Sequence, residues 1–211
     1  MKITLTTAQA VALAKSIAPA ISTEPGRYHL HSVQVVTTGE YVTFTATDGY
    51  RMHRITVPQT SIESCETFQV GGVELVGALL HTAKTIGKGN GAIVLDYDYG
   101  NRLEVMTNYE NVNVPTAHLN VPVVHVEFPP CASILDTPVE TESGAYYHAP
   151  YLADMATAAA HVSGKAKKGT HDDAGMVQIV NIHPNKPMHV TAQSTTTGMQ
   201  FHGLLMPQRA R

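Results

Sequence analysis

The chain has 211 residues, of which 43% are hydrophobic and 15% charged, with a formal net charge of −3 at pH 7. That composition belongs to a globular chain with one large domain or two small ones, and it excludes a disordered chain or a disulfide-stapled miniprotein. No apolar run approaches a membrane span, and the opening stretch MKITLTTAQA lacks the apolar core of a secretory signal. Cys65 and Cys131 are the only cysteines, which points to reduced thiols and a cytoplasmic location. With a slightly negative charge, any contact with nucleic acid must use local basic patches.

The first element in chain order is a short strand at 3–7, followed by a helix over 8–18. Val11, Ala14, Ile17 and Ile21 fall at helical spacing, Thr7 is placed to cap the helix and Pro19 limits it. Residues 28–36, YHLHSVQVV, read as extended, with a turn at Thr38-Gly39-Glu40. A strand at 41–47 puts Val42, Phe44 and Ala46 on one face, Asp48-Gly49 turns the chain, and 50–57 returns as a strand closed by Pro58.

The same order then recurs. A strand at 67–70 leads to a helix over 73–84 with Val76, Leu79, Leu80 and Ala83 on one face. Strands follow at 92–98, at 102–108 beyond a Gly100-Asn101 turn, and at 110–114. A third copy begins with a strand at 145–148. Pro150 suits the first turn of a helix over 151–162, where Leu152, Met155, Ala156 and Ala159 form a stripe and Gly164 ends it. Strands at 176–182, 187–193 and 198–206 complete the chain. The segment 129–144, PPCASILDTPVETESG, is rich in proline and polar residues and reads as a linker. The fold class is therefore α+β: repeats of strand, helix and antiparallel strands, with helices covering one face of the sheets.

The stretch TATDGYRM, residues 45–52, asks for more than a plain hairpin, because an aromatic, a cation and a soft apolar side chain follow the turn in a row. ATDGYRM resembles the ATDGHRL stretch of the bacterial DNA polymerase III β sliding clamp family. RYHL, residues 27–30, resembles an Arg-Tyr-x-Leu of the middle domain of that clamp, and LLMPQR, residues 204–209, resembles its C-terminal Met-Pro-x-Arg. The resemblance implies a DNA-clamp-like fold with a complete two-repeat domain over 1–128, a linker over 129–144 and a half domain of one repeat over 145–211. So reduced a chain suits a bacteriophage or mobile element.

The resemblance also implies a pocket for short hydrophobic peptide motifs of polymerases and other replication or repair proteins. Its residues here are Leu30, Thr47, Gly49, Tyr50, Arg51 and Met52, then Pro115 and Val121, then Leu204, Met206, Pro207, Gln208 and Arg209. Met and aromatic side chains make an adaptable apolar wall, and an Arg on the rim fixes a peptide carbonyl or carboxylate. Departures from the family pattern are Tyr50 for His, Gln208 for an apolar residue, and the extra Ala210 and Arg211. The resemblance further implies helix-borne cations on duplex DNA, here Lys15, Lys84, Lys88, Lys165, Lys167 and Lys168, the last three in the basic run GKAKKG. Such contacts are phosphate-directed and sequence-independent. A ring of this family implies a homo-oligomer.

Other chemistry finds less support. The chain has 12 histidines. His29 and His31 alternate along a strand face and His183 and His189 flank a turn, a spacing a zinc site can use, but there is no HExxH and no CxxC pair. Asp96 and Asp98 share a strand face and Asp172-Asp173 sit in a polar loop, with no nucleophile beside them. The expectation is a sliding-clamp-like processivity factor, not an enzyme, with no cofactor and no membrane contact. The rival readings are a clamp-fold decoy that forms no ring, a transcription or host-takeover factor, and a small metal-dependent enzyme.

Overall fold

The computed structural model describes residues 1–60, 62, 64–87, 91–99, 102–108, 117–131, 145–164, 177–180 and 185–207. β1 (Lys2–Thr6) turns Ile3 and Leu5 into the core and runs directly into α1 (Thr7–Ile17). The cap is Thr6, not Thr7. The Thr6 hydroxyl accepts from the Gln9 amide at 3.1 Å, and the Gln9 side-chain oxygen accepts from the Thr6 amide at 2.9 Å. This reciprocal capping box starts the helix earlier than hydrophobic spacing alone suggests.

The segment 28–36 is not extended throughout. Tyr28–His31 form one 3-10 turn, and only β2 (Ser32–Thr38) is a strand. Local bonds explain it: the Leu30 amide donates to the Arg27 carbonyl at 2.8 Å, the Ser22 amide donates to the Leu30 carbonyl at 3.1 Å, and the His31 imidazole bonds the Glu24 carbonyl at 2.9 Å. His29 and His31 therefore do not share a strand face.

β3 (Tyr41–Thr47) and β4 (Arg51–Pro58) form the expected hairpin. β5 (Thr67–Gly71), α2 (Gly72–Ile86), β6 (Ala92–Asp98) and β7 (Arg102–Asn108) repeat the order. The strand expected at 110–114 lies outside the described residues. β8 (His118–Val124) was not anticipated, because Pro122 interrupts its pattern. That proline stands where β8 changes partner: His118–Pro122 pair with β7, and Val123 and Val124 pair with β5. A residue without an amide donor is tolerated at such a switch. Of the segment expected at 145–148 only an isolated bridge at Tyr146 is present. α3 (Ala149–Ser163), with Pro150 in its first turn, β9 (Gln178–Val180), β10 (Met188–Gln193) and β11 (Gln200–Leu205) follow.

Among the described residues, eleven strands join one antiparallel sheet in the order β1-β6-β7-β8-β5-β2-β3-β4-β11-β10-β9. The first strand of each early repeat pairs into the other repeat, β1 with β6 and β5 with β2, so the two repeats fold as one body. β11 then adds to the free edge of β4. The helices pack side by side on one face, α1 between α2 and α3. Beneath them lies the main core, which includes Leu13, Ile17, Phe44, Ile55, Leu75, Leu79, Leu103, Met155 and Phe201. Polar side chains also cross this layer. His53, fully buried on β4, bonds the Ser16 carbonyl of α1 through Nδ1 at 2.6 Å, and the Ser16 hydroxyl donates to the Ala158 carbonyl of α3 at 2.7 Å.

Candidate functional site

The turn at 48–50 is built by Asp48. Its Oδ1 accepts from the Tyr50 and Arg51 amides, both at 2.9 Å, and its Oδ2 pairs with Arg51 Nε at 3.0 Å. Thr47 locks the other side, its hydroxyl donating to the Arg51 carbonyl at 2.7 Å and accepting from the Gly49 amide at 3.1 Å. Aspartate and threonine side chains of this kind replace missing ladder bonds in tight turns. Gly49 has φ of +89°, and a Cβ there would lie 3.1 Å from Arg27 Nη1. Glycine is needed because the conformation is left-handed and because a second segment approaches closely. That segment is 27–30: Arg27 Nη1 donates to the Asp48 carbonyl at 3.2 Å, and Leu30 lies beneath Gly49.

The C-terminal strand completes the assembly. β11 lies antiparallel to β4 with Leu204 opposite Met52 and Leu205 opposite Arg51, and the Met206 amide donates to the Tyr50 carbonyl at 3.0 Å. Three segments distant in sequence therefore meet at one hairpin. Leu30, Thr47, Gly49, Tyr50, Arg51, Met52, Leu204 and Met206 all belong to it, and Pro207 follows directly. Pro115, Gln208 and Arg209 lie outside the described residues.

Val121 does not belong to the group. It is fully buried in the main core on β8, opposite Leu103 of β7, and has no face to offer a ligand. Arg51 is also placed differently from a rim cation. Its side chain is only 11% exposed, lies between Asp48 and Asp154 of α3, the latter at 2.5 Å, and stands 4.6 Å over the Tyr151 ring. It ties the hairpin to the helix layer. The cation that reaches the aromatic surface is Arg27, 5.3 Å above the Tyr50 ring and paired with Glu24 at 2.8 Å.

Surface and floor differ sharply. Tyr50 and Met206 are each 42% exposed, and Tyr50 stacks on Tyr151 at 6.2 Å. Met52 and Leu204 are only 3% and 4% exposed, and with Phe128 and Cys131 they form a small cluster separate from the main core. Burial pushes the Cys131 thiol up, against the opposing charge of Arg54. A cavity of about 520 Å³ borders this cluster, lined by Tyr28, His29 and residues 125–130. Sequence reasoning missed Phe128 and Cys131, placing the one at the end of a domain and the other in a linker. The only signal was an aromatic before two prolines, with no periodicity to assign it a face.

Further along the same sheet face, Arg54 and Thr56 of β4, Gln200 and His202 of β11, and Thr191 and Gln193 of β10 line a polar concavity of about 700 Å³. His202 Nε2 lies 3.0 Å from His189 Nδ1. Burial, then the neighbouring His189, push His202 down to about 4, so its ring is neutral at pH 7. His183, the expected companion of His189, lies outside the described residues. Among the described residues, no three His, Cys, Asp or Glu side chains are placed to hold a metal ion. Asp96 faces the N-terminal amine at 3.7 Å and Lys2 at 3.6 Å. Asp172 and Asp173 lie outside the described residues. Of the lysines expected on DNA, Lys15 and Lys84 are exposed in the last turns of α1 and α2, and Lys88, Lys165, Lys167 and Lys168 lie outside the described residues.

One sheet of antiparallel strands, lined on one face by helices and built from strand–helix–strands units, is the sliding-clamp fold. Solved structures that share it include bacterial DNA polymerase III β subunits. That of Thermotoga maritima superposes with a TM-score of 0.72 at 11% identity, covering 100% of this chain and 66% of that one. The C. crescentus β sliding clamp gives 0.69 at 16% identity, over 99% of this chain and 65% of that one. The Pseudomonas aeruginosa sliding clamp gives 0.69 at 12% identity, over 100% and 66%. The chain thus spans just under two thirds of the length of these clamps. No protein-family model and no curated protein matches the chain. Among the described residues, no helix is long and apolar enough to cross a membrane.

Proposed function

We propose that this protein is a sliding-clamp-type accessory of DNA replication, a processivity factor that holds short hydrophobic peptide motifs of polymerases or repair proteins. It is a binding module and not an enzyme. The reading divides the chain into a two-repeat clamp domain over 1–128, a linker over 129–144 and a half domain over 145–211. It takes the protein as a cytoplasmic homo-oligomer that contacts duplex DNA through phosphates, with Lys15, Lys84, Lys88, Lys165, Lys167 and Lys168 as contacts.

The observation that carries the proposal is the meeting of the 48–51 turn, the 27–30 segment and the end of β11, fastened by the Met206–Tyr50 bond at 3.0 Å. These are the three stretches whose sequences resemble the clamp family, and the fold brings them to one place. The resulting surface offers exposed Tyr28, Tyr50 and Met206. Aromatic and thioether side chains of this kind grip the large apolar residues of an extended peptide.

The test is titration of a short peptide in which Gln is followed by Leu and Phe. Met206→Ala and deletion of 206–211 should each weaken binding strongly, since anchoring contacts typically carry about 2 kcal/mol or more. Lys84→Ala, on α2, should leave it unchanged. A deletion variant that binds as the parent does, with an intact fold by circular dichroism, refutes the proposal.

A further inference from the structure

The first two repeats obey one pairing rule. In each, the strand before the helix leaves its own repeat and lies antiparallel to the first strand after the other repeat's helix, β1 on β6 and β5 on β2. The register is the same both times. The last residue before the helix stands opposite the first residue of the receiving strand, Thr6 opposite Ala92 and Gly71 opposite Ser32. This exchange seals both cores, and Val33 and Val35 of β2 and Ile93 and Leu95 of β6 are all buried.

The third repeat has the same parts but no such mate among the described residues. Residues 145–148 run straight into α3, and His148 at their end is extended, with φ of −69° and ψ of 114°. Tyr147 packs against the main core and Tyr146 is 69% exposed, the alternation of a strand. The segment nonetheless forms only an isolated bridge at Tyr146. The strand placed to receive it is β9, which ends the sheet and pairs with β10 alone. Ile179 of β9 stands opposite Val190 of the main core, yet it is 45% exposed. The helix above is open on the same side. One flank of α3 gives Asp154 to the hairpin and the Ala158 carbonyl to α1, and on the other flank Leu152 and Ala156 are exposed. A core-facing isoleucine at a free edge is an unfinished core, and a free edge is a template for another strand.

We propose that two copies of this chain join through their third repeats, each giving its 145–148 segment to the other's β9, so that two half domains complete one another. The proposal rests on the homo-oligomer of the reading above and names its interface. The occupant is a second copy because the chain's own repeats already recognise each other in this way twice. The rule sets the register: His148 falls opposite the partner's Gln178, and Tyr147 opposite the partner's Ile179. Tyr147 and Ile179 each face the core on their own chain, so the pairing puts apolar beside apolar on one face of the sheet. The same two segments serve on both sides, so the contact closes on a two-fold axis. Leu152 and Ala156 of the two α3 helices then meet beside it, as α1 meets α2 in the first two repeats.

Ile179→Asp places a charge at the join and spares the single chain, where this side chain is already 45% exposed. Sedimentation equilibrium at micromolar concentration should show the parent as an even number of copies and Ile179→Asp at half the parent's mass. Tyr41→Asp, at a site 44% exposed on β3, should keep the parent's mass. In a Cys65→Ser background, with Cys131 buried, Tyr147→Cys combined with Ile179→Cys should give a covalent pair of chains on oxidation. Directly opposite side chains in a sheet stand about 5 Å apart, within reach of a disulfide. An oligomer whose mass Ile179→Asp leaves unchanged, one with an odd number of copies, or one that forms no covalent pair overturns the inference and leaves the homo-oligomer standing. A monomeric parent overturns both together.

Discussion

Lowering the pH should destabilise this protein through His53, by an amount the structure sets. The imidazole is fully buried between β4, α1 and α3. Its Nδ1 lies 2.6 Å from the Ser16 carbonyl, which can only accept, so Nδ1 carries the proton and Nε2 presents a bare lone pair. That Nε2 has no hydrogen-bond partner, so a second proton would create a buried donor with nothing to donate to. Burial is the main reason the group is lowered from 6.5 to about 4, with the Ser16 bond opposing, Arg51 adding to the depression, and Asp48 and Asp154 opposing it. The unfolded chain therefore binds the proton first as pH falls. The stabilising contribution is complete above pH 6.5, declines between 6.5 and about 4, and is gone below. A shift of this size corresponds to about 3 kcal/mol. His53→Asn keeps a donor near the Nδ1 position and removes the titration. Urea unfolding of parent and variant should be followed at several pH values from 7 to 4. The stability difference between them should move by about 3 kcal/mol in the variant's favour across that range, while carboxylates common to both cancel. A difference that stays constant with pH refutes the reasoning.

Three further outcomes are expected. Gly49→Ala should cost about 1–3 kcal/mol in urea unfolding, because φ of +89° is left-handed and the added Cβ meets Arg27. Replacing Lys165, Lys167 and Lys168 by Glu should weaken duplex DNA binding and flatten its salt dependence by about 0.9 per lost phosphate contact; an unchanged slope reduces the basic run to a solvated loop. Native mass measurement at micromolar concentration should give a homo-oligomer. The chain carries about three repeat units, and the proposed ring needs several copies to close. A strict monomer removes the ring and favours the decoy while leaving the peptide site untouched.

Much of the fold was legible because its signals are local. Alternation in β3 and β4, the Asp48-Gly49 turn and the periodicity of the helices act over a few residues, and each repeat announces the next. What stayed hidden was set by tertiary partners. The turn at Tyr28–His31 reads as extended because the bonds that fold it, to Ser22, Glu24 and Arg27, leave no mark on the hydrophobic pattern. The stripe on α2 was read in part: Leu79 and Ala83 are buried as expected, Leu75 and Ala78 join them, and Val76 and Leu80 lie at the edge, packed against the core only in part. The same holds at the site. The turn, the 27–30 segment and Met206 were legible because family-like motifs carry them. The neutralisation of Arg51 by Asp154 spans 103 positions, and no local pattern encodes it. Phe128 was missed because an aromatic between irregular residues carries no period.

The most direct test of the peptide site is methyl NMR of the protein labelled at its methionines. The chain has 8, and four of them bracket the question. Met206 is exposed at the end of β11 and Met52 lies beneath Phe128, whereas Met155 and Met188 are buried in the main core. On adding the Gln, Leu, Phe peptide, the Met206 and Met52 methyl signals should shift together and saturate at one affinity, with Met155 and Met188 unmoved. Saturation that leaves Met206 and Met52 in place, or that shifts only methionines elsewhere, contradicts the account.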